Sequence, residues 1–216
     1  MEFTKIISFI GMERCDLIVY LVNVLKTKSI RTLVIDNSCN QDLFGALRRP
    51  DSVTDYLENG RVVFMRNKCV EVNNTGAFEK FDVVIIYHGL NVNYNMLAMS
   101  NYLVLQTDYI PVHLQEIREM VDLTAFDRFP KENSMIIYRD KGSGKISEAV
   151  IRKELEIENA ENEEIIFYDE GNFNNYLNFC WNGSQETKGV TGEVKNAINF
   201  LKVWLIGVDK KKRGEK

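Results

Sequence analysis

The chain has 216 residues, 45% of them hydrophobic, and a net charge of −4. That length and apolar content suit one large core, and the acidic balance argues against a general nucleic-acid surface, which needs clustered Lys and Arg on a basic face. Cys15, Cys39, Cys69 and Cys180 are widely spaced with no CxxC pair, which fits reduced thiols, and the N-terminal apolar run is broken by Glu13, Arg14 and Asp16, unlike a signal peptide or a membrane span. A cytoplasmic protein is the expectation. Ile6 to Ile10 is a short β run, Gly11 permits a tight turn, Asp16 to Lys26 is apolar at helical spacing, and Thr32 to Ile35 is a second β run ending at Asp36. Next come short helices expected at Asp42 to Arg49 and Ser52 to Glu58, then a hairpin pairing Arg61 to Met65 with Cys69 to Val72 around Arg66-Asn67-Lys68.

Phe81 to Tyr87 and Asn101 to Gln106 are near-continuous apolar runs, the signature of strands buried on both faces of a parallel sheet. Val92 to Met99 predicts a short crossover helix between them. After Pro111 the positions Leu114, Ile117, Met120 and Val121 form the apolar stripe of an amphipathic helix, with His113 in its first turn. Ser134 to Tyr138 predicts a strand, Ile146 to Leu155 a helix, Glu164 to Tyr168 a last strand and Thr191 to Ile206 a closing helix. Strands alternating with helices imply a three-layer α/β/α fold with a mostly parallel, doubly wound sheet, in one domain over 1–208 with a basic tail at 209–216.

Ligands of such sheets bind outside the carboxyl ends of the strands, which places Gly11 to Cys15, Asp36 to Cys39 and Tyr87 to Leu90 along one edge. A phosphate loop there needs several glycines, a lysine and a Ser or Thr hydroxyl. Gly11-Met12-Glu13-Arg14-Cys15-Asp16-Leu17 offers one glycine, no lysine and no hydroxyl, and places Glu13 and Asp16 where a phosphate would sit. The strand that should end in a magnesium-holding Asp ends in Tyr87 and His88. Asp36 is also an ordinary turn-former, Cys15 a small core side chain, and a zinc cluster of Cys15, Cys39, Asp36 and His88 lacks closely paired ligands. Gly142-Ser143-Gly144-Lys145 has the wrong spacing for a phosphate loop and predicts a locally basic loop. The absence of GxGxxG glycines after Gly11 disfavours a dinucleotide site.

KIISFIG, then a helix and RTLVIDNS, resembles the opening of the MinD/ParA group of deviant Walker ATPases. VTDYLENG is similar to that family's "LSDYL.G" segment, FDVVIIYHGLN to its "YDYVIIDTPPG" strand, NYLVLQTDYIPVHLQEIREMV to its "ADEVLLVTTPD" strand and following helix, and IIFYDEGNFNNYLNFCWNG to the stretch carrying its "IPYD" turn. Among members the chain looks most like the TadZ/CpaE branch, which localises pilus and secretion machinery and some of whose members have eroded nucleotide motifs. Under this resemblance Asp36 aligns with an acid that acts near magnesium, both phosphate-loop lysines are lost and the magnesium-holding Asp is replaced. The vestigial nucleotide site would then comprise Gly11, Met12, Glu13, Arg14, Cys15, Asp36, Asn37 and His88, with no catalytic residue and no metal ligand.

The resemblance implies a pseudo-ATPase that acts through protein partners, a homodimer that needs no ATP, and an interface beside the site built from Met12, Tyr87, Leu90 and Tyr94. No cofactor is expected. The alternative is a nucleotide sensor or weak ATPase that binds magnesium-ATP through Arg14, Asp36 and backbone donors of the first helix. The apolar face Val194, Ala197, Ile198, Leu201, Trp204 and Leu205, followed by Lys210 to Arg213, suits either a core-covering helix or a weak peripheral contact with the inner face of a membrane.

Overall fold

The computed structural model describes residues 4–47, 56–66, 75–158, 161–182 and 189–207. Its strands are β1 (Lys5–Gly11), β2 (Thr32–Asp36), β3 (Tyr56–Asn59), β4 (Val62–Arg66), β5 (Val83–Gly89), β6 (Tyr102–Thr107), β7 (Ser134–Lys141) and β8 (Glu163–Phe167). Between and after them run α1 (Asp16–Thr27), α2 (Asp42–Ala46), α3 (Tyr94–Leu97), α4 (Pro111–Thr124), α5 (Glu148–Glu154), α6 (Glu170–Asn182) and α7 (Gly192–Ile206). The strands form one sheet in the order β3-β4-β2-β5-β1-β6-β7-β8, parallel except for the β3–β4 pair.

Side-chain alternation decides which helix covers which strand position. Val83, Ile85 and Tyr87 of β5 point to the face covered by α1, α2, α6 and α7, and Val84 and Ile86 to the opposite face, where Met96 of α3 packs on them. Every residue of β5 is buried, as its unbroken apolar run requires of a central strand. On the second face α4 lays Leu114, Ile117, Met120 and Val121 over β6 and β7. The closing helix buries Val194, Ala197, Ile198, Leu201 and Leu205 in the first core, and Trp204 stacks on Tyr102 at 5.1 Å. Its apolar face therefore covers the sheet; the basic tail lies outside the described residues. Among the described residues no helix is long and apolar enough to cross a membrane.

Two expectations fail. Tyr56–Asn59 is a strand and not the end of a helix, and β4 pairs with it instead of with Cys69 to Val72, which, like 52–55, lies outside the described residues. The cause is the two-residue turn Gly60-Arg61 between the paired Asn59 and Val62: Gly60 has φ +66°, and a glycine at the first turn position lets so short a loop turn one strand back on another. The 13-residue α6 is an addition that the sequence pattern did not call for, because five asparagines lower its helix propensity and mask the helical spacing of Phe173, Tyr176 and Phe179.

Candidate functional site

The sheet brings three turns to one edge, after β1, β2 and β5, where the chain passes from the β2 side of β1 to its β6 side. Gly11 ends β1 at φ +95°, and a Cβ there would sit 2.2 Å from the Gln106 carbonyl oxygen, so β6 admits only glycine. Gln106 also grips the loop that follows: Met12 N donates to its carbonyl at 2.9 Å, and its Nε2 donates to the Arg14 carbonyl at 3.0 Å. Arg14 N donates to the Met12 carbonyl at 2.8 Å. Two of the loop's N–H groups thus close on the protein's own carbonyls rather than converging on an anion.

Arg14 turns inward and is 5% exposed. Its Nη1 donates to Asp140 at 2.7 Å, its Nη2 lies 3.4 Å from Asp16 Oδ2, and its guanidinium stands 4.4 Å from the Tyr176 ring of α6. Asp16 Oδ2 also accepts from the buried Arg139 at 2.6 Å. Burial alone would raise the Asp16 carboxyl, but Arg139 and Arg14 hold it below the usual carboxylate range. Asp140 reaches Arg14 from a bulge in β7, at φ +54°, where the register with β8 shifts between Tyr138 and Lys141.

The second and third turns are tied together. Asp36 ends β2 and accepts from Ser38 N at 3.1 Å, Ser38 Oγ at 2.6 Å and Phe44 N at 2.7 Å, so its carboxylate organises the β2–α2 turn. Asn37 N donates to the Tyr87 carbonyl, and its Nδ2 donates to His88 Nδ1 at 3.0 Å and to the Asn91 carbonyl at 2.6 Å. Asn93 N also points to His88 Nδ1, at 3.3 Å. With two N–H groups aimed at Nδ1, that nitrogen must accept, and the proton sits on Nε2, which donates to Ser8 Oγ at 3.2 Å. Burial pushes the His88 imidazole down to about 4. It is a neutral hinge pin between β1, β5 and the α3 entry.

Glu13 stays at the edge, where Asn40 Nδ2 donates to Oε2 at 3.2 Å and the side chain passes over Gly89. Burial, then Asp42 and Asp36, raise its carboxyl. Cys15 is buried, its thiol pushed well up by burial and by Asp16, as suits a core sulfur. Among the described residues no three His, Cys, Asp or Glu groups are placed to hold a metal ion. The structure therefore gathers Gly11, Met12, Glu13, Asp36, Asn37 and His88 along one edge, with Arg14 and Cys15 directed beneath it.

The expected interface needs correction. Tyr87 is fully buried because the alternation of β5 points it into the α1 face, Met12 and Leu90 are half-buried against the α4 side, and Tyr94 alone of the four is well exposed. His113 lies as expected in the first turn of α4, with Nδ1 2.6 Å from the buried Asp108. Gly142 and Gly144 stand in an exposed loop with nothing near them. Sequence reasoning missed Gln106, Arg139, Asp140 and Tyr176; the available signal was a charged pair, Arg139-Asp140, closing an apolar strand, since a buried charge must find a partner.

No protein-family model matches the sequence, and no curated protein matches it. Solved structures do. A ParA family ATPase from Chlorobium tepidum TLS matches with 13% identity and a TM-score of 0.65, over 93% of this chain and 98% of that one. The MinC:MinD cell division protein complex of Aquifex aeolicus matches with 11% identity and a TM-score of 0.64, over 92% and 96%. A plasmid partition protein from Borrelia burgdorferi B31 bound to AMPPNP matches with 11% identity and a TM-score of 0.61, over 95% and 100%. The eight-stranded, mostly parallel sheet with its flanking helices is the fold of the ParA/MinD ATPases.

Proposed function

We propose that this chain is a pseudo-ATPase of MinD/ParA type, a scaffold or localisation factor that works by holding protein partners, with pilus or secretion machinery of the TadZ/CpaE kind as its setting. One domain over 1–208 does this work, followed by the basic tail at 209–216. The observation that carries the proposal is the β1–α1 turn. Met12 and Arg14 N–H groups close on internal carbonyls, and Arg14, the turn's cation, is bound to Asp140 and Asp16. Phosphoryl transfer depends on preorganised positive charge around the phosphates, and here that charge faces the core while Glu13 faces the edge. A protein role is supported by the MinD relative solved in complex with MinC. Homodimerisation without nucleotide, and a peripheral position at the inner face of a membrane, belong to the same proposal.

The rival function, nucleotide sensing or weak ATP hydrolysis through Arg14 and Asp36, draws support from the plasmid partition protein bound to AMPPNP. Against it stand the Arg14 ion pairs and the three hydrogen bonds already held by the Asp36 carboxylate. Phosphate release from magnesium-ATP by the purified chain decides between them. The proposal expects release no faster than in buffer; turnover abolished by Asp36→Ala would sink it.

A further inference from the structure

Helices α4 and α5 follow the neighbouring parallel strands β6 and β7, so they run side by side in one direction on the second face of the sheet. Between them lies a groove of about 480 Å³, with the buried Leu114 and Ile151 at its floor and Pro111, Gln115, Ile146 and Val150 along its sides. Leu114, Ile117 and Ile151 turn under the two helices, whereas Ile146 and Val150 stand 44% and 47% exposed on the α5 rim. They are four residues apart, Glu154 follows at the same spacing, and all three line the groove.

The charges around the groove differ in whether they are paired. Arg118 is bound to Glu156, Lys141 to Glu148, and Arg152 to Glu163 at 2.6 Å. Lys145, next to Ile146 and ahead of α5, and Glu154, the last residue of that helix, are exposed and have no such partner among the described residues. These two charges bracket the two exposed apolar side chains, so the rim reads cation, Ile146, Val150, anion. Reversed end for end, that pattern is its own complement.

We propose that the α5 rim of a second copy of this chain fills the groove, the two copies packing α5 antiparallel to α5 about a two-fold axis beside Val150. Each Lys145 then meets the other copy's Glu154, the two Val150 side chains meet at the axis, and Ile146 of each copy lies in the other's groove toward Arg118. The proposal rests on the nucleotide-free homodimer proposed above and supplies the surface that the buried Tyr87 and the half-buried Met12 and Leu90 do not. A small apolar molecule would cover Ile146 and Val150 but leave Lys145 and Glu154 unanswered. With few side chains committed on each side, the association is weak and reversible.

Sedimentation velocity of the full chain, without nucleotide and over a range of concentrations, tests this. The parent is expected to pass from monomer to dimer as concentration rises. Val150→Glu sets two carboxylates at the axis and should weaken the dimer about tenfold or more. Lys145→Glu or Glu154→Lys alone opposes like charges twice and should weaken it a few-fold, while the exchange Lys145→Glu/Glu154→Lys should return it to within about twofold of the parent. Glu116→Lys, on α4 but outside the groove, should change it less than about twofold. Every substituted side chain is exposed, so the urea midpoint of each variant should match the parent's. A dimer indifferent to Val150→Glu, single reversals without effect, or an exchange variant as weak as the single reversals would overturn the proposal and leave the homodimer to another surface. A parent that stays monomeric at every concentration, or that dimerises only with magnesium-ATP, would overturn the homodimer as well; phosphate release remains the separate test of the pseudo-ATPase function.

Discussion

Two neighbours in one turn, Arg14 and Glu13, have opposite fates. Arg14 joins a buried ionic group with Asp16, Arg139 and Asp140 that ties the start of α1 to the end of β7, 123 residues away along the chain from Asp16 to Arg139. Glu13 stays at the edge among other acids, held by hydrogen bonds from Asn40 and the Leu90 backbone. The difference teaches that charge at this edge is sorted by direction, the cation turned inward and the acid left outside. The basic side chain a phosphate would want is used to fasten the core, and acids occupy the approach.

The inner group should dominate stability. Asp16→Ala leaves Arg139 and Arg14 buried without their shared carboxylate, and removing one member of a buried ion pair costs on the order of 3–5 kcal/mol, measurable by urea unfolding. Because its folded pKa lies below the unfolded value of about 3.9, the stability contributed by Asp16 is present above that pH and lost as pH falls through the folded value. Loss of acid sensitivity below about pH 4 in Asp16→Asn would support the ionic role assigned to it.

His88 comes next. Its imidazole titrates at about 4 in the folded protein and near 6.5 in an unfolded chain, so the neutral ring contributes stability above about pH 6.5 that disappears as pH falls toward 4. The linkage is worth roughly 3 kcal/mol across that window, and His88→Gln should flatten the stability profile there. A profile unchanged by that substitution would break the assignment of His88 as a buried neutral pin.

Smaller effects sharpen the contrast between a crowded turn and an open one. Gly11→Ala must strain the backbone at φ +95° and push a methyl against the Gln106 carbonyl, a cost of about 1–3 kcal/mol from the backbone before the clash is counted. Gly142→Ala, with open space around it, should stay within about 0.5 kcal/mol. Glu13→Gln removes a carboxylate from beside Asp42 and Asp36 and should be neutral to slightly stabilising, again within about 0.5 kcal/mol. A large loss in Glu13→Gln would mean that Glu13, like Arg14, is an internal fastener.

The sheet was legible in the sequence because central parallel strands are apolar on both faces: Val83 to Ile86 and Leu103 to Leu105 could hardly be anything else. The three turns of the edge followed from strand order. What the sequence concealed was the direction of each side chain. Tyr87 looked like a surface aromatic until alternation along β5 placed it in the core, and Arg14 looked like a phosphate contact because Asp140, its partner, stands on a bulge that no local pattern announces. The α6 helix was hidden for the same reason that Tyr176 was missed: its asparagines conceal a helix whose inner face exists to cover Arg14 and the α1 core.

The central claim is that the edge no longer accepts a nucleotide, and thermal unfolding with and without millimolar magnesium-ATP and magnesium-ADP tests it most directly. A ligand at about 100 times its dissociation constant adds about 2.7 kcal/mol of stability, which appears as a clear upward shift of the transition midpoint. The account predicts no shift with either nucleotide; an upward shift that Arg14→Ala or Asp36→Ala abolishes would contradict it.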